Sequence, residues 1–268
     1  MKQQLKHLAG SVLHHLAPPL SRAVDRGKID GRHARLKRWI ADYRIASAAE
    51  SGDLKSLRDR LAQYWQSERG DEFYDAYPTR FQDWFLGPHY TVVEALAEKL
   101  EARPGIRRLI EVGCGDGKVL QHLHDRFPQI TSATGVDLNE TIIERNRDVY
   151  EGSALRFECS DLDGYLQQYH GSGILLVSYG GVLEYLTQPE LEALFTSFRN
   201  LASPTLLLLV EPISPDFDLS TETVSRPHGI ENSFSHPHRH LLETAGWTVE
   251  FEEVQELEHR WMLMLASA

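Results

Sequence analysis

A chain of 268 residues with 41% apolar and 25% charged side chains can bury a sizeable core, and its net charge of −11 sets it against nucleic-acid phosphates. No apolar run approaches the roughly eighteen residues of a membrane-crossing helix, and Met1-Lys-Gln-Gln-Leu-Lys-His lacks a signal-peptide core. Two cysteines, Cys114 and Cys159, make no disulfide framework, so a cytoplasmic location is expected.

The charge is segregated. Residues 1–44 hold ten Lys or Arg against three Asp, a balance of +7, which leaves −18 on the other 224. Leu5, Leu8, Val12, Leu13, Leu16 and Leu20 recur at helical spacing, Pro18-Pro19 interrupts, and Gly27 and Gly31 mark a turn. Such a basic amphipathic arm packs on the chain's own acidic body or docks on an acidic membrane surface or a protein partner. Asp53 is placed to cap a helix bearing Leu54, Leu57, Leu61 and Trp65, which Arg69-Gly70-Asp71 is expected to end. An aromatic segment follows (Phe73, Tyr74, Tyr77, Phe81, Trp84, Phe85, Tyr90), and then a helix over Thr91 to Leu100.

The most informative stretch is Leu109-Ile-Glu111-Val-Gly113-Cys-Gly115-Asp-Gly117-Lys118. An apolar run reads as a buried parallel strand, breaks into three alternate glycines, and gives way to a helical pattern from Val119 to Phe127. Strand, glycine turn and helix open a βαβ unit in which the backbone can approach a nucleotide-like ligand. Lys118 stands where a dinucleotide motif needs its third glycine, and Glu111 would repel a pyrophosphate while suiting a cationic ligand. No Gly-Lys-Ser/Thr follows at P-loop spacing.

With Glu111, Gly113, Gly115 and Gly117, the stretch resembles the first motif of the class I S-adenosylmethionine-dependent methyltransferases. The resemblance implies an α/β fold: a seven-stranded, mostly parallel Rossmann-like sheet with an antiparallel last strand, here with an N-terminal helical cap. It assigns residues 88–268 to a methyltransferase domain and leaves 1–87 as a helical cap; the aromatic segment is expected to pack as a helix against the sheet edge, and the resemblance adds the role of a lid over the cofactor and acceptor. It also implies S-adenosylmethionine as cofactor and S-adenosylhomocysteine as product, bound at Glu111, Gly113, Cys114, Gly115 and Gly117.

Beyond Pro128, Ala133 to Asp137 reads as strand two, and Asp137 at its end can accept ribose hydroxyls with Leu138 against the adenine face. Asn139 caps the helix Ile142 to Tyr150. Strand three, Leu155 to Cys159, delivers Asp161 and Leu162, which the resemblance assigns to the adenine; the alternative for Asp161 is the cap of the helix Tyr165–Tyr169, and Asp163 competes for either role. Strand four, Ile174 to Val177, runs into Ser178 and Tyr179, assigned to the methionine portion, and then Gly180-Gly181, Glu184 and Tyr185. Pro189 opens a helix, and Leu206 to Val210 is strand five, ending at Glu211-Pro212. Residues 213–235 read as a long loop covering the acceptor side. A short helix with Pro237 at its first position follows, and Trp247–Phe251 and Trp261–Leu265 form a closing antiparallel hairpin.

His228, His236, His238 and His240 lack acidic or cysteine neighbours at ligand spacing, so no metal is expected. The candidate catalytic groups are His236, His238, Tyr185 and Glu184, among which a base for a hydroxyl acceptor would be found. The expected reaction is transfer of methyl to a small molecule (a sugar, an amine or a natural-product hydroxyl), and nucleic acid is disfavoured. The alternatives are a catalytically silent binding module working through the basic arm, or a protein or RNA methyltransferase.

Overall fold

The computed structural model describes residues 2–168, 171–201, 204–229 and 231–268. They form two compact units, residues 1–72 with 227–233 and residues 73–226 with 234–268. The first division falls at residue 72 where the sequence suggested 87, because Phe81 and Phe85 belong to the apolar core of the sheet unit.

The first unit is helical. Pro18 at the start of α2 (Pro18–Asp25) separates it from α1 (Lys2–Leu16), since an imide nitrogen cannot continue the preceding hydrogen-bond ladder. Helices α3 (Ala34–Ser51) and α4 (Leu54–Trp65) follow. Val24, Ile29 and Ile40 form its core with Leu13, Leu20 and Ala41 against them. Arg44 is buried and pairs with Asp25 while donating to Ser21 Oγ at 2.6 Å. Asp53 caps α4 as expected, accepting from the Ser56 N–H at 3.1 Å. Residues 69–71 do not end that helix. Ser67 donates to the Tyr64 carbonyl at 2.6 Å and stops α4 earlier, and 69–71 lie inside α5 (Glu68–Ala76), where a helical glycine costs only about 1 kcal/mol. The side chains of Lys2, Leu5, Arg69, Asp71 and Asp163, and the whole of Tyr169, lie outside the described residues.

In the second unit a π-helical turn (Phe81–Phe85) leads to α6 (Tyr90–Glu101). Strands and helices then alternate: β1 (Arg108–Val112), α7 (Lys118–Arg126), β2 (Ser132–Asp137), α8 (Glu140–Val149), β3 (Leu155–Cys159), α9 (Leu162–Gln168), β4 (Ile174–Tyr179), a 3-10 turn (Leu183–Tyr185), α10 (Gln188–Leu201) and β5 (Thr205–Ile213). After β6 (Arg226–His228), β7 (Ser233–Ser235) and α11 (His238–Thr244), the chain closes with β8 (Thr248–Glu256) and β9 (Arg260–Ser267). Residues 213–235 are therefore not a plain loop, and Pro237 precedes α11 as its cap residue.

The seven-stranded sheet runs β3-β2-β1-β4-β5-β9-β8, parallel from β3 to β5, with β9 antiparallel to both neighbours. Its inner strands β1, β4 and β5 are buried on both sides, so successive residues feed two cores: Leu109, Leu175, Leu206 and Leu208 enter one, and Ile110, Leu176, Leu207 and Leu209 the other. Helix α6 (Val92, Val93, Leu96, Leu100) covers the first face, and α10 (Leu191, Phe195, Phe198) the second. Each such fully buried side chain contributes about 1.5–3 kcal/mol. The strand order reverses between β1 and β4, and the carboxyl ends of those strands are where a doubly wound sheet opens a ligand crevice.

Candidate cofactor and acceptor site

At the end of β1 the chain turns through Gly113, Gly115 and Gly117, all at positive φ. A Cβ on Gly115 would stand 2.4 Å from Tyr74 Oη, and one on Gly113 2.4 Å from Val182 Cγ2, so the turn admits close neighbours on two sides. The turn is braced from behind. Asp137 accepts from the Gly115 N–H at 3.0 Å with one oxygen and from the Asn139 N–H at 2.9 Å with the other. Asn146 Nδ2 donates to the Gly115 carbonyl at 2.6 Å, and the Tyr150 hydroxyl donates to the Asp116 carbonyl at 3.0 Å. Cys114 is buried against Gly135, where a Cβ would lie 2.7 Å from its Sγ, and burial pushes its thiol well up.

Glu111, under the turn, is 2% exposed and its Oε2 has no hydrogen-bond partner among the described residues. Burial, reinforced by Asp116, pushes its carboxyl well above the usual range, with a hydrogen bond from the Leu120 backbone opposing. Burial also raises Asp137, against the pull of its backbone donors. The Tyr74 hydroxyl is pushed up by burial and by the Asp137 charge. Arg80 is the cation that acts on this group. Its Nη2 donates to the Gly180 carbonyl at 2.8 Å, and its guanidinium lies over Phe73 and Tyr179 at 5.2 and 5.8 Å. Its charge opposes the upward shifts of Glu111, Tyr74 and Tyr179.

Strand β4 lies beside β1, with Ser178 opposite Val112, so Ser178 and Tyr179 reach the same edge as the glycine turn. Ser178 is fully buried and donates from Oγ to Glu211 Oε1 at 2.6 Å, while Glu211 Oε2 accepts from the Val182 and Leu183 N–H groups, each at 3.1 Å. Glu211, at the end of β5, thus holds the turn after β4; burial lifts its carboxyl to about 7 against these donors. Tyr179 Oη shares a 3.1 Å hydrogen bond with Nδ1 of His89, a buried imidazole whose Nε2 is unpartnered among the described residues. Burial, helped by Arg80, lowers His89 to about 4, so it is neutral near pH 7.

The other expected residues follow the carboxyl ends of their strands or lie further along the chain. Leu138 and Leu162 are half-buried beyond β2 and β3, and Asp161 is exposed and caps α9, accepting from the Gly164 N–H at 2.6 Å. Glu184 is buried and Tyr185 half-buried in the 3-10 turn. His236 is fully buried with both ring nitrogens engaged: Nε2 with the Leu183 carbonyl at 3.1 Å, Nδ1 with Ser225 Oγ at 2.7 Å. A carbonyl only accepts, so Nε2 carries the proton. His238 stacks edge-on against it at 5.4 Å, buried and held well below its usual pKa by desolvation. Among the described residues no group of three or more His, Cys, Asp or Glu is placed to hold a metal. Arg80, His89 and Glu211 were not singled out from sequence. The only signals were a lone arginine among aromatics and an acid closing an apolar strand.

A doubly wound sheet with this strand order, its antiparallel insertion beside β5, and an acidic glycine turn at the switch point has the class I, Rossmann-like methyltransferase fold. Residues 109–205 match the family model described as a methyltransferase domain. Magnesium protoporphyrin IX methyltransferase from Synechocystis PCC 6803, solved with bound SAM, is 16% identical with a TM-score of 0.55, over 78% of this chain and 96% of that one. A SAM-dependent methyltransferase from Leishmania major is 15% identical with a TM-score of 0.54, over 78% and 82% of the two chains. At these identities the likeness is one of fold. No curated protein matches the chain by sequence.

Proposed function

We propose that the chain is a SAM-dependent methyltransferase acting on a small-molecule acceptor. The observation that carries this reading is Glu111: a buried carboxyl with an unpartnered oxygen, placed under a backbone turn, calls for a cationic ligand. S-adenosylmethionine, with its ammonium and sulfonium, fits that requirement. Glu111, the peptide groups of 113–117 and Asp137 would hold it, and Arg80 would meet its carboxylate. When bound, this cofactor supplies a methyl already activated on sulfur.

What the protein adds is mainly alignment, which is worth up to about 7–11 kcal/mol in well-oriented reactions. The bracing of the turn by Asp137, Asn146 and Tyr150 keeps its peptide groups fixed, and Glu211 does the same for the backbone after β4. On the acceptor side Tyr185 and Glu184 stay in the proposal as polar contacts. His236 is better read as a positioning residue for Leu183, since neither ring nitrogen is free to take a proton. His89, neutral and buried, shares its Nδ1 hydrogen bond with the Tyr179 hydroxyl and is read as a positioning residue for that side chain. The −18 carried outside residues 1–44 favours a small molecule over a polynucleotide.

Calorimetric titration with S-adenosylhomocysteine tests the reading. Micromolar binding is expected; absence of binding to folded protein, with either S-adenosylhomocysteine or S-adenosylmethionine, would overturn it.

A further inference from the structure

Helix α1 has two unlike faces. One is fixed to its own unit: Leu13 packs on Val24, Ile29 and Ile40, His14 Nδ1 shares a 2.9 Å hydrogen bond with Ser21, and a Cβ on Gly10 would lie 2.2 Å from the Trp39 carbonyl oxygen. The other face carries Leu8, Val12 and Leu16, which are 61%, 48% and 77% exposed. At about 100° per residue the three fall within an arc of roughly 80°, so they form one continuous apolar stripe. Exposed apolar side chains scattered singly need no explanation, but a stripe along one helix does.

The same unit exposes Lys6, Arg22, Arg26, Lys28 and Arg32, none of which forms an ion pair among the described residues. Arg38 and Arg44, by contrast, are held by Asp30, Glu72 and Asp25. An apolar helical stripe in a segment with surplus cations is the composition of a helix that lies in a lipid interface. A second copy of the chain is a poor occupant, because it would bring two segments of +7 together. A polyanion such as nucleic acid would use the cations and leave Leu8, Val12 and Leu16 in water.

We propose that the exposed face of α1 is a docking surface for an anionic lipid layer, with Leu8, Val12 and Leu16 entering the acyl boundary and the arginines meeting the headgroup phosphates. The stripe belongs to the helical unit and the glycine turn to the sheet unit, so lipid docking does not depend on methyl transfer.

Flotation of the full chain with vesicles tests it. Phosphatidylcholine vesicles containing phosphatidylglycerol should carry the protein, and phosphatidylcholine alone should not. Binding should weaken several-fold as salt is raised from about 0.1 to about 0.5 M. Leu8→Glu with Leu16→Glu should lower partitioning at least tenfold, and Arg22→Glu with Arg26→Glu several-fold, with unchanged circular dichroism. If the glutamate pair unfolds the unit, Leu8→Ser with Leu16→Ser replaces it. No flotation with anionic vesicles, equal flotation with neutral ones, or binding indifferent to the stripe would each overturn the proposal. So would a dimer that the stripe variants dissociate without any vesicle binding, which would assign the face to a second copy.

Discussion

Glu211→Gln isolates the electrostatics of the turn after β4. The wild-type carboxyl is fully buried, and its pKa rises from 4.5 in a free chain to about 7 in the fold. A carboxyl with a raised native pKa binds its proton more tightly when folded. Its contribution is therefore fully present below pH 4.5 and is lost as pH rises through 7. At about 1.4 kcal/mol for each pH unit between the two values, that loss is roughly 3 kcal/mol. An amide can keep the geometry: its oxygen can accept from the Val182 and Leu183 N–H groups, and its nitrogen can donate to Ser178 Oγ, which accepts as well as donates. What it removes is the titration. Glu111 and Asp137 are also raised and slope the same way, but they are common to both proteins and cancel in the difference. Urea unfolding followed by tryptophan fluorescence, repeated from about pH 4.5 to about pH 8, should show the variant gaining on wild type by roughly 3 kcal/mol across that window. A difference constant to within about 0.5 kcal/mol would refute the reasoning.

Three further outcomes follow from the cofactor side. Asp137→Ala should weaken S-adenosylhomocysteine about 10–100-fold, from the loss of charge-assisted bonds worth roughly 1.5–3 kcal/mol, and an unchanged Kd by calorimetry would detach β2 from the ligand. Glu111 is protonated more readily in the empty site than in one holding a cation, so S-adenosylmethionine affinity should rise as pH climbs above the usual carboxylate range. Glu111→Gln should flatten that dependence, and a slope that persists would point to another group. Gly115→Val puts a branched side chain at φ +48° against Tyr74, and equilibrium dialysis should find at least tenfold weaker cofactor binding; wild-type affinity would mean that the turn does not face the ligand.

Strands β4 and β5 are legible because burial on both faces leaves each with a continuous apolar run, as in Leu206 to Val210. Asp137 is legible because the chain from glycine turn to strand two has a nearly fixed length. Asn139 is legible because its role is local, a cap on Ile142 three residues on. Residues whose roles depend on long-range closure leave no such trace. Arg80 meets Gly180 across 100 positions and His89 meets Tyr179 across 90. Strands β6 and β7, Arg-Pro-His and Ser-Phe-Ser, are too short to carry an alternation. His236 carries the chemistry of a base in sequence, and only its two hydrogen bonds show that it is tied down. Asp161 carries a local role that the sequence also offered, and the 2.6 Å bond from Gly164 shows it capping α9.

The position of β9 bears on how the molecule comes into being. Strands β1 to β5 emerge in order and can pair as they leave the ribosome, yet the partner of β5 along Leu206 to Ile213 is the strand made after all the others in the sheet. Until Arg260 to Ser267 arrives, a nine-residue apolar strand presents an unpaired edge, the surface on which nascent chains associate with one another. The seam is closed by reciprocal hydrogen bonds between Thr205 and Ala268, at 3.2 and 3.1 Å. Loss of the last strand would therefore leave β8 without its partner and the β5 edge open, and shortened chains should be insoluble rather than merely less active.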